Sequence, residues 1–187
     1  MCLLTNRLYG ITSFKSEVFC VMGKKAKVPT RQDYVKKLDA TFSKFIRLRD
    51  SFVRWWVRYV KCPLCWSVVE RTKAQCMHFI KRSIMRYRFD EMNCHAGCMR
   101  CNVMLHGNYI IYTRRMQIKY WVTQVDQMIY NKATFNWRTR ELKEMIDLYQ
   151  EKVDALLKGE PLEKVNKIWL KQETLFDNSN SNEWEGS

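Results

Sequence analysis

The sequence predicts an α+β fold, mostly helical, with a cysteine-stapled core of short strands set between N-terminal and C-terminal amphipathic helices. Three observations predict it. Apolar residues recur at three- and four-residue steps in two stretches, one starting near Thr30 and one near Thr139. Two Cys-x-x-Cys pairs, 62–65 and 98–101, lie between them. The segment "WSVVERTKAQCMHFI", which follows the first pair, has the composition of strands.

Taken in order, residues 1–29 show no sustained period and end in the basic "GKKAKVP", which reads as a leader segment plus linker of unreadable role. Residues 30–60 begin with a basic helix. Thr30 is its N-cap and Asp33 the capping-box partner, ahead of an apolar stripe of Tyr34, Leu38, Phe42, Phe45 and Ile46. Lys44, Arg47 and Arg49 lie off that stripe and are expected to contact phosphates. "FVRWWVRYV" at 52–60 alternates too poorly to separate a helix extension from a strand, and Trp55, Trp56 and Trp66 are expected in the core. A hairpin is expected next. "KRSIMRYRFDEMN" then reads as a loop whose Lys81, Arg82, Arg86 and Arg88 are further phosphate contacts. Two helices follow, about 113–131 and 139–158. The second has Thr139 as cap, Glu141 in its first turn and Gly159 as its stop. Residues 160–187 read as an acidic, flexible tail.

Composition narrows the function classes. With 187 residues and 47% hydrophobic content the chain can bury one core, so a single domain over 30–159 is expected. The net charge is +14. The last 28 residues hold six acids against three lysines, so residues 1–159 carry +17, a field suited to nucleic acid. No apolar run approaches a membrane span and no signal peptide is visible, so a cytoplasmic setting is expected. There, eight cysteines favour metal thiolates over disulfides.

"CPLC" and "CMRC" supply four thiolates for a tetrahedral Zn²⁺, assigned to Cys62, Cys65, Cys98 and Cys101. Their spacer is longer than a simple zinc ribbon requires. It carries His78, Asn93 and His95, and Asn102 follows the last cysteine. A structural zinc site needs none of these four side chains. Cys76 and Cys94 read as small buried thiols.

These residues resemble the HNH, or ββα-metal, nucleases: His78 on a hairpin strand, Asn93 in the loop and Asn102 on a helix match that pattern. More closely, "FSKFIRLRD", "MHFIKR", "RFDEMNCHAGCMRCN" and "HGN" are similar to the phage NinG, or Rap, recombination endonucleases, with the resemblance covering residues 35–158. It implies a zinc-stabilised ββα-metal core at 62–112 and metal-dependent cleavage of branched DNA such as Holliday junctions and D-loops. His78 would be the general base, Asn93 would fix the loop, and Mg²⁺ or Mn²⁺ would sit near Asn102. Many such nucleases have a metal-binding Asp immediately before the base, where this chain has Met77. The missing ligand is then sought at His95 first and Asp90 next. A homodimer is expected on a two-fold substrate, with phage recombination proteins as further partners and the bacterial host cytoplasm as the location. A non-catalytic, zinc-organised DNA-binding accessory protein is the alternative, and an RNA-binding zinc protein a more distant one.

Overall fold

The computed structural model describes residues 28–131 and 133–167. The expected leader, except its last two residues, and the tail beyond 167 lie outside the described residues. Helix α1, Arg31–Arg49, starts at the expected cap: the Thr30 hydroxyl accepts from the Asp33 amide at 3.3 Å, and the Asp33 carboxylate accepts from the Thr30 amide at 2.8 Å. Its buried stripe, including Leu38, Phe42, Phe45 and Ile46, packs against the Tyr149 face of α5, Thr139–Leu157. The Phe42 and Tyr149 rings meet edge to face at 4.8 Å.

The open stretch at 52–60 is a hairpin. β1, Ser51–Arg54, pairs antiparallel with β2, Val57–Lys61, and β3, Val68–Glu70, adds to the other side of β2. The two-residue turn is Trp55–Trp56, both at positive φ (51° and 66°). This overturns the expectation that the tryptophans are core. A turn of two residues projects both away from the sheet, leaving them 78% and 98% exposed, and Trp66 is 51% exposed under the cations of Lys61 and Arg115.

The strand pairing also differs from the expected hairpin-then-loop. β4, Gln75–His78, pairs with β5, Cys94–Gly97, so residues 79–93 are inserted within the hairpin and carry a short helix α2, Met85–Arg88. A π-helical turn, Arg100–Met104, begins inside the second cysteine pair and carries Cys101 and Asn102. The helix expected at 113–131 starts earlier and is broken: α3 spans Tyr109–Tyr120 and α4 Val122–Tyr130, with Trp121 between them at φ 67°. Helix α5 begins one residue after its cap, Arg138, whose amide donates to the Glu141 carboxylate at 2.7 Å; Thr139 is the first helical residue instead. It stops at Gly159 (φ 84°), where the Gly159 and Glu160 amides close onto the Leu156 and Ala155 carbonyls. The first turn of the expected tail folds back as α6, Leu162–Asn166, and buries Val165.

The β4–β5 ladder separates two cores. Cys94 and Ala96 belong to the α1–α5 core, whereas Met77 belongs to a second core with the paired cysteines, Phe79, Tyr112 and Met116. Strand alternation divides them: Cys76, His78, Cys94 and Ala96 share one face, and Met77 and His95 the other. Gly97 faces the second core, where a Cβ would force the Met77 thioether aside and lie 3.3 Å from Cys62 Sγ.

Candidate metal centre and basic cleft

The sulfurs of Cys62, Cys65, Cys98 and Cys101 all lie within 4.8 Å of one another. The loop Cys62–Ser67 forms one knuckle, closed by the Trp66 amide on the Cys62 carbonyl and the Cys62 amide on the Ser67 carbonyl. The Cys101 amide donates to Cys98 Sγ at 3.4 Å in the other, and Cys65 and Cys98 sulfurs are 3.5 Å apart. Burial pulls the Cys65 thiol up, but hydrogen bonds from Ser67 and neighbouring thiols outweigh it and bring the pKa down to about 6. Four convergent thiols, one of them poised as thiolate, fit a tetrahedral zinc site. The cluster could hold structural zinc.

Beside it a cleft of about 520 Å³ runs between α1 and the β4 edge. It is lined by His78 and Asn102, by the cations of Lys36, Arg47 and Arg82, and by Asp39. Thus two of the sequence-predicted catalytic residues, 24 positions apart, open on one cavity. His78 Nε2 lies 3.1 Å from the Arg88 carbonyl, which can only accept, so Nε2 carries the hydrogen and neutral His78 has its lone pair on Nδ1. Burial, ahead of the Arg82 charge, lowers the His78 pKa and keeps the ring neutral near pH 7. The Asn102 amide nitrogen donates to Gln75 Oε1 at 2.7 Å, which orients its Oδ1.

Asn93 is fully buried and shapes the loop. Its Oδ1 accepts from the Ile80 amide at 2.6 Å, and its nitrogen donates to the carbonyls of Ile80 and Tyr87 at 3.1 and 2.8 Å. All of these partners lie in the segment inserted between β4 and β5. Asn93 therefore ties the inserted segment together from within.

His95 and Asp90 are not brought to this cleft, which corrects their expected role as cation ligands. His95 projects from the opposite face of the ladder. Its Nε2 accepts from the Lys119 ammonium at 3.0 Å and its Nδ1 meets Tyr112 Oη at 3.0 Å. Burial, with Lys119 adding to it, lowers its pKa to about 3. A lone pair already engaged by an ammonium is a poor place for a divalent cation. Asp90 instead accepts from the Met92 amide at 2.7 Å and lines a separate cleft with Arg86 and Gln124; burial raises its pKa.

The carboxylate in the cleft is Asp39, which sequence reading passed over. Arg88 Nε donates to its Oδ1 at 2.9 Å and Arg82 approaches its Oδ2 at 2.6 Å; despite burial, these two guanidiniums hold the carboxyl below its usual range. Its position on α1, three residues before Phe42, gives no local signal, because its partners arise more than forty residues later.

The expected DNA contacts divide in the same way. Arg47 and Arg82 line the cleft, Lys44 is half-buried on α1, and Lys81 and Arg86 are exposed on neighbouring surfaces. Arg88 is held by Asp39. Arg49 is corrected to a structural residue: its guanidinium donates to Asp50 at 2.8 Å and to the Glu91 and Cys94 carbonyls at 2.9 and 2.7 Å. Its Nε and both terminal nitrogens are thus already engaged inside the fold. Arg58 and Arg71 lie outside that lining, with Arg71 close enough to Arg47 and Arg58 to feel their charges. None of these three has an ion pair among the described residues, and Arg71 Nε is buried without a hydrogen-bond partner there. Burial, followed by the charges of Arg47 and Arg58, lowers the Arg71 pKa.

Fold and site together define a class: a basic, mixed α+β protein, about half helical, with small sheets and a four-cysteine cluster able to hold zinc beside a cationic cleft. Among the described residues no helix is long and apolar enough to cross a membrane. The family model for the bacteriophage lambda NinG protein matches residues 14–160, and the chain belongs to that family. It is similar to protein NinG of Salmonella phage P22, 25% identical over 133 residues that cover 71% of this chain and 62% of that protein. Protein NinG of Escherichia phage lambda is 24% identical over 133 residues, again 71% of this chain and 62% of that one. The chain thus spans less than two thirds of these relatives. It is also similar to mouse Polycomb group RING finger protein 6, 28% identical over 97 residues, 50% of this chain and 25% of that protein. No solved structure matches the chain.

Proposed function

We propose that this protein is a metal-dependent DNA endonuclease acting on branched recombination intermediates, Holliday junctions and D-loops, with His78 as the general base. The observation that carries the reading is a neutral His78, its tautomer set by the Arg88 carbonyl, opening on a cleft ringed by Lys36, Arg47 and Arg82. The order of elements supports a ββα-metal core: two paired strands, β4 and β5, then the helical turn that bears Asn102. Structural zinc on the four cysteines would lock that turn to the connection between β2 and β3. The likeness to a protein named for a RING finger agrees, since RING modules are zinc-held.

In this mechanism His78 Nδ1 accepts the proton of the attacking water, and the cleft cations hold the phosphoryl oxygens while charge builds on them. Asn93 keeps the inserted segment in place, and with it the Arg88 carbonyl that orients the base. The oxygen donor left free for a hard cation, Mg²⁺ or Mn²⁺, is Asn102 Oδ1, since both Asp39 oxygens are engaged by Arg82 and Arg88. Such an ion would supply polarisation of the phosphate and stabilisation of the leaving 3′ oxygen. Paired cuts across a four-way junction call for two copies of the chain related by a two-fold axis.

The test is cleavage of a labelled four-way junction and a matched linear duplex with Mg²⁺, Mn²⁺ or EDTA. His78→Ala is expected to lower metal-dependent cutting by roughly 10²-fold or more, with junction affinity and zinc content unchanged. Tight junction binding without cutting under any divalent ion would replace this reading with the zinc-organised accessory protein.

A further inference from the structure

The β4–β5 register places His78 directly opposite Cys94, and Cys76 two residues along the same strand face. One ligand atom from each of the three lies within 4.8 Å of the others. The four paired cysteines fall within the same bound. Cys94 is buried, whereas Cys76 and His78 are half-buried and line the basic cleft. Two of the three side chains thus line the cleft, with Cys94 buried behind them.

We propose that Cys76, His78 and Cys94 form a second metal site, selective for thiophilic divalent ions such as Zn²⁺, Cd²⁺ or Co²⁺. Two thiolates and an imidazole are soft and borderline donors, which favour these ions over Mg²⁺. Three protein ligands leave one tetrahedral position for water or a phosphate oxygen from the cleft, the arrangement of an open zinc site, whereas the four-cysteine cluster is closed. Electrostatics permit loading. Two thiolates neutralise a dication, and the cleft carboxylate that acts on His78, Asp39, is already matched by Arg82 and Arg88. The site therefore adds no net charge to the cleft.

Metal binding here does not depend on the nuclease reading. Where both hold, they are linked through His78, because a ring engaged by Zn²⁺ cannot serve as base, and zinc would antagonise Mg²⁺-dependent cutting.

The experiment uses the full chain under a thiol-free reductant. Co²⁺ is titrated while sulfur-to-metal charge-transfer absorption is followed, and Zn²⁺ content is measured after dialysis against a small zinc excess. Wild type is expected to bind two equivalents, whereas Cys76→Ala and Cys94→Ala each bind one and keep the cobalt spectrum of the four-cysteine site. Far-ultraviolet circular dichroism confirms that both variants fold, and Cys76→Ser provides a second, milder replacement at the half-buried position. Saturation of wild type at one equivalent, or two equivalents retained in the alanine variants, overturns the proposal. A nuclease without the second equivalent, or the second equivalent without cleavage, would separate the fate of this site from that of the endonuclease reading.

Discussion

At the scale of single residues, function divides two histidines of one hairpin. His78 and His95 sit on paired strands, yet one opens on the cleft and the other is locked between two tyrosines and Lys119. The locked one makes a pH prediction. In the unfolded chain His95 titrates near 6.5, whereas in the fold its pKa is about 3. Between these values the unfolded state binds the extra proton, so stability falls as pH drops below about 6.5, at up to ~1.4 kcal/mol per pH unit for this group. The lowered pKa of His78 acts in the same direction. Denaturant unfolding at pH 7, 6 and 5 should show a shallower loss in His95→Gln than in wild type at equal zinc content. Equal slopes would remove His95 as the cause.

Among the elements, the β1–β2 hairpin is the one that local rules describe least well. A two-residue turn with positive φ at both positions favours Asn-Gly, and this chain has Trp55–Trp56. Each left-handed tryptophan costs about 1 kcal/mol or more. Neither is repaid by burial, as both rings are exposed. Trp55→Asn/Trp56→Gly should therefore stabilise the protein by about 1–2 kcal/mol, read as a higher denaturant midpoint with an unchanged slope. A lower midpoint would mean that the indoles themselves hold the hairpin.

The whole molecule depends on the joint between its two cores, where the end of α1 meets β5. Asp50 closes it: its carboxylate accepts from the Arg49 guanidinium at 2.8 Å and from the Ala96 amide at 2.7 Å. Burial alone would lower the Arg49 pKa; the Asp50 carboxylate reverses that and raises it. Asp50→Ala leaves a buried guanidinium without that partner and is expected to cost about 3 kcal/mol. Asp50→Asn, which keeps an acceptor for Ala96, should cost clearly less. Equal losses in the two variants would place the stabilisation in packing instead of charge.

What the sequence determined by itself followed from interactions a few residues long. The Thr30–Asp33 capping box, the Gly159 stop, the α1 and α5 stripes and the two cysteine knuckles are all readable at spacings of three or four, because caps, helix faces and chelating turns are local. The NinG family was legible in the same way. Only the tertiary structure decided which of these side chains share a cavity. Asp39 reaches Arg88 across 49 positions, and Cys76 reaches Cys94 through a ladder interrupted by residues 79–93. Likewise, His95 and Arg49 looked like ligand and phosphate contact until their partners, Lys119 and the Glu91 and Cys94 carbonyls, closed around them. The physical reason is register: a strand shifted by one residue reverses every side chain, and that choice is made by the two cores on either side of β4–β5.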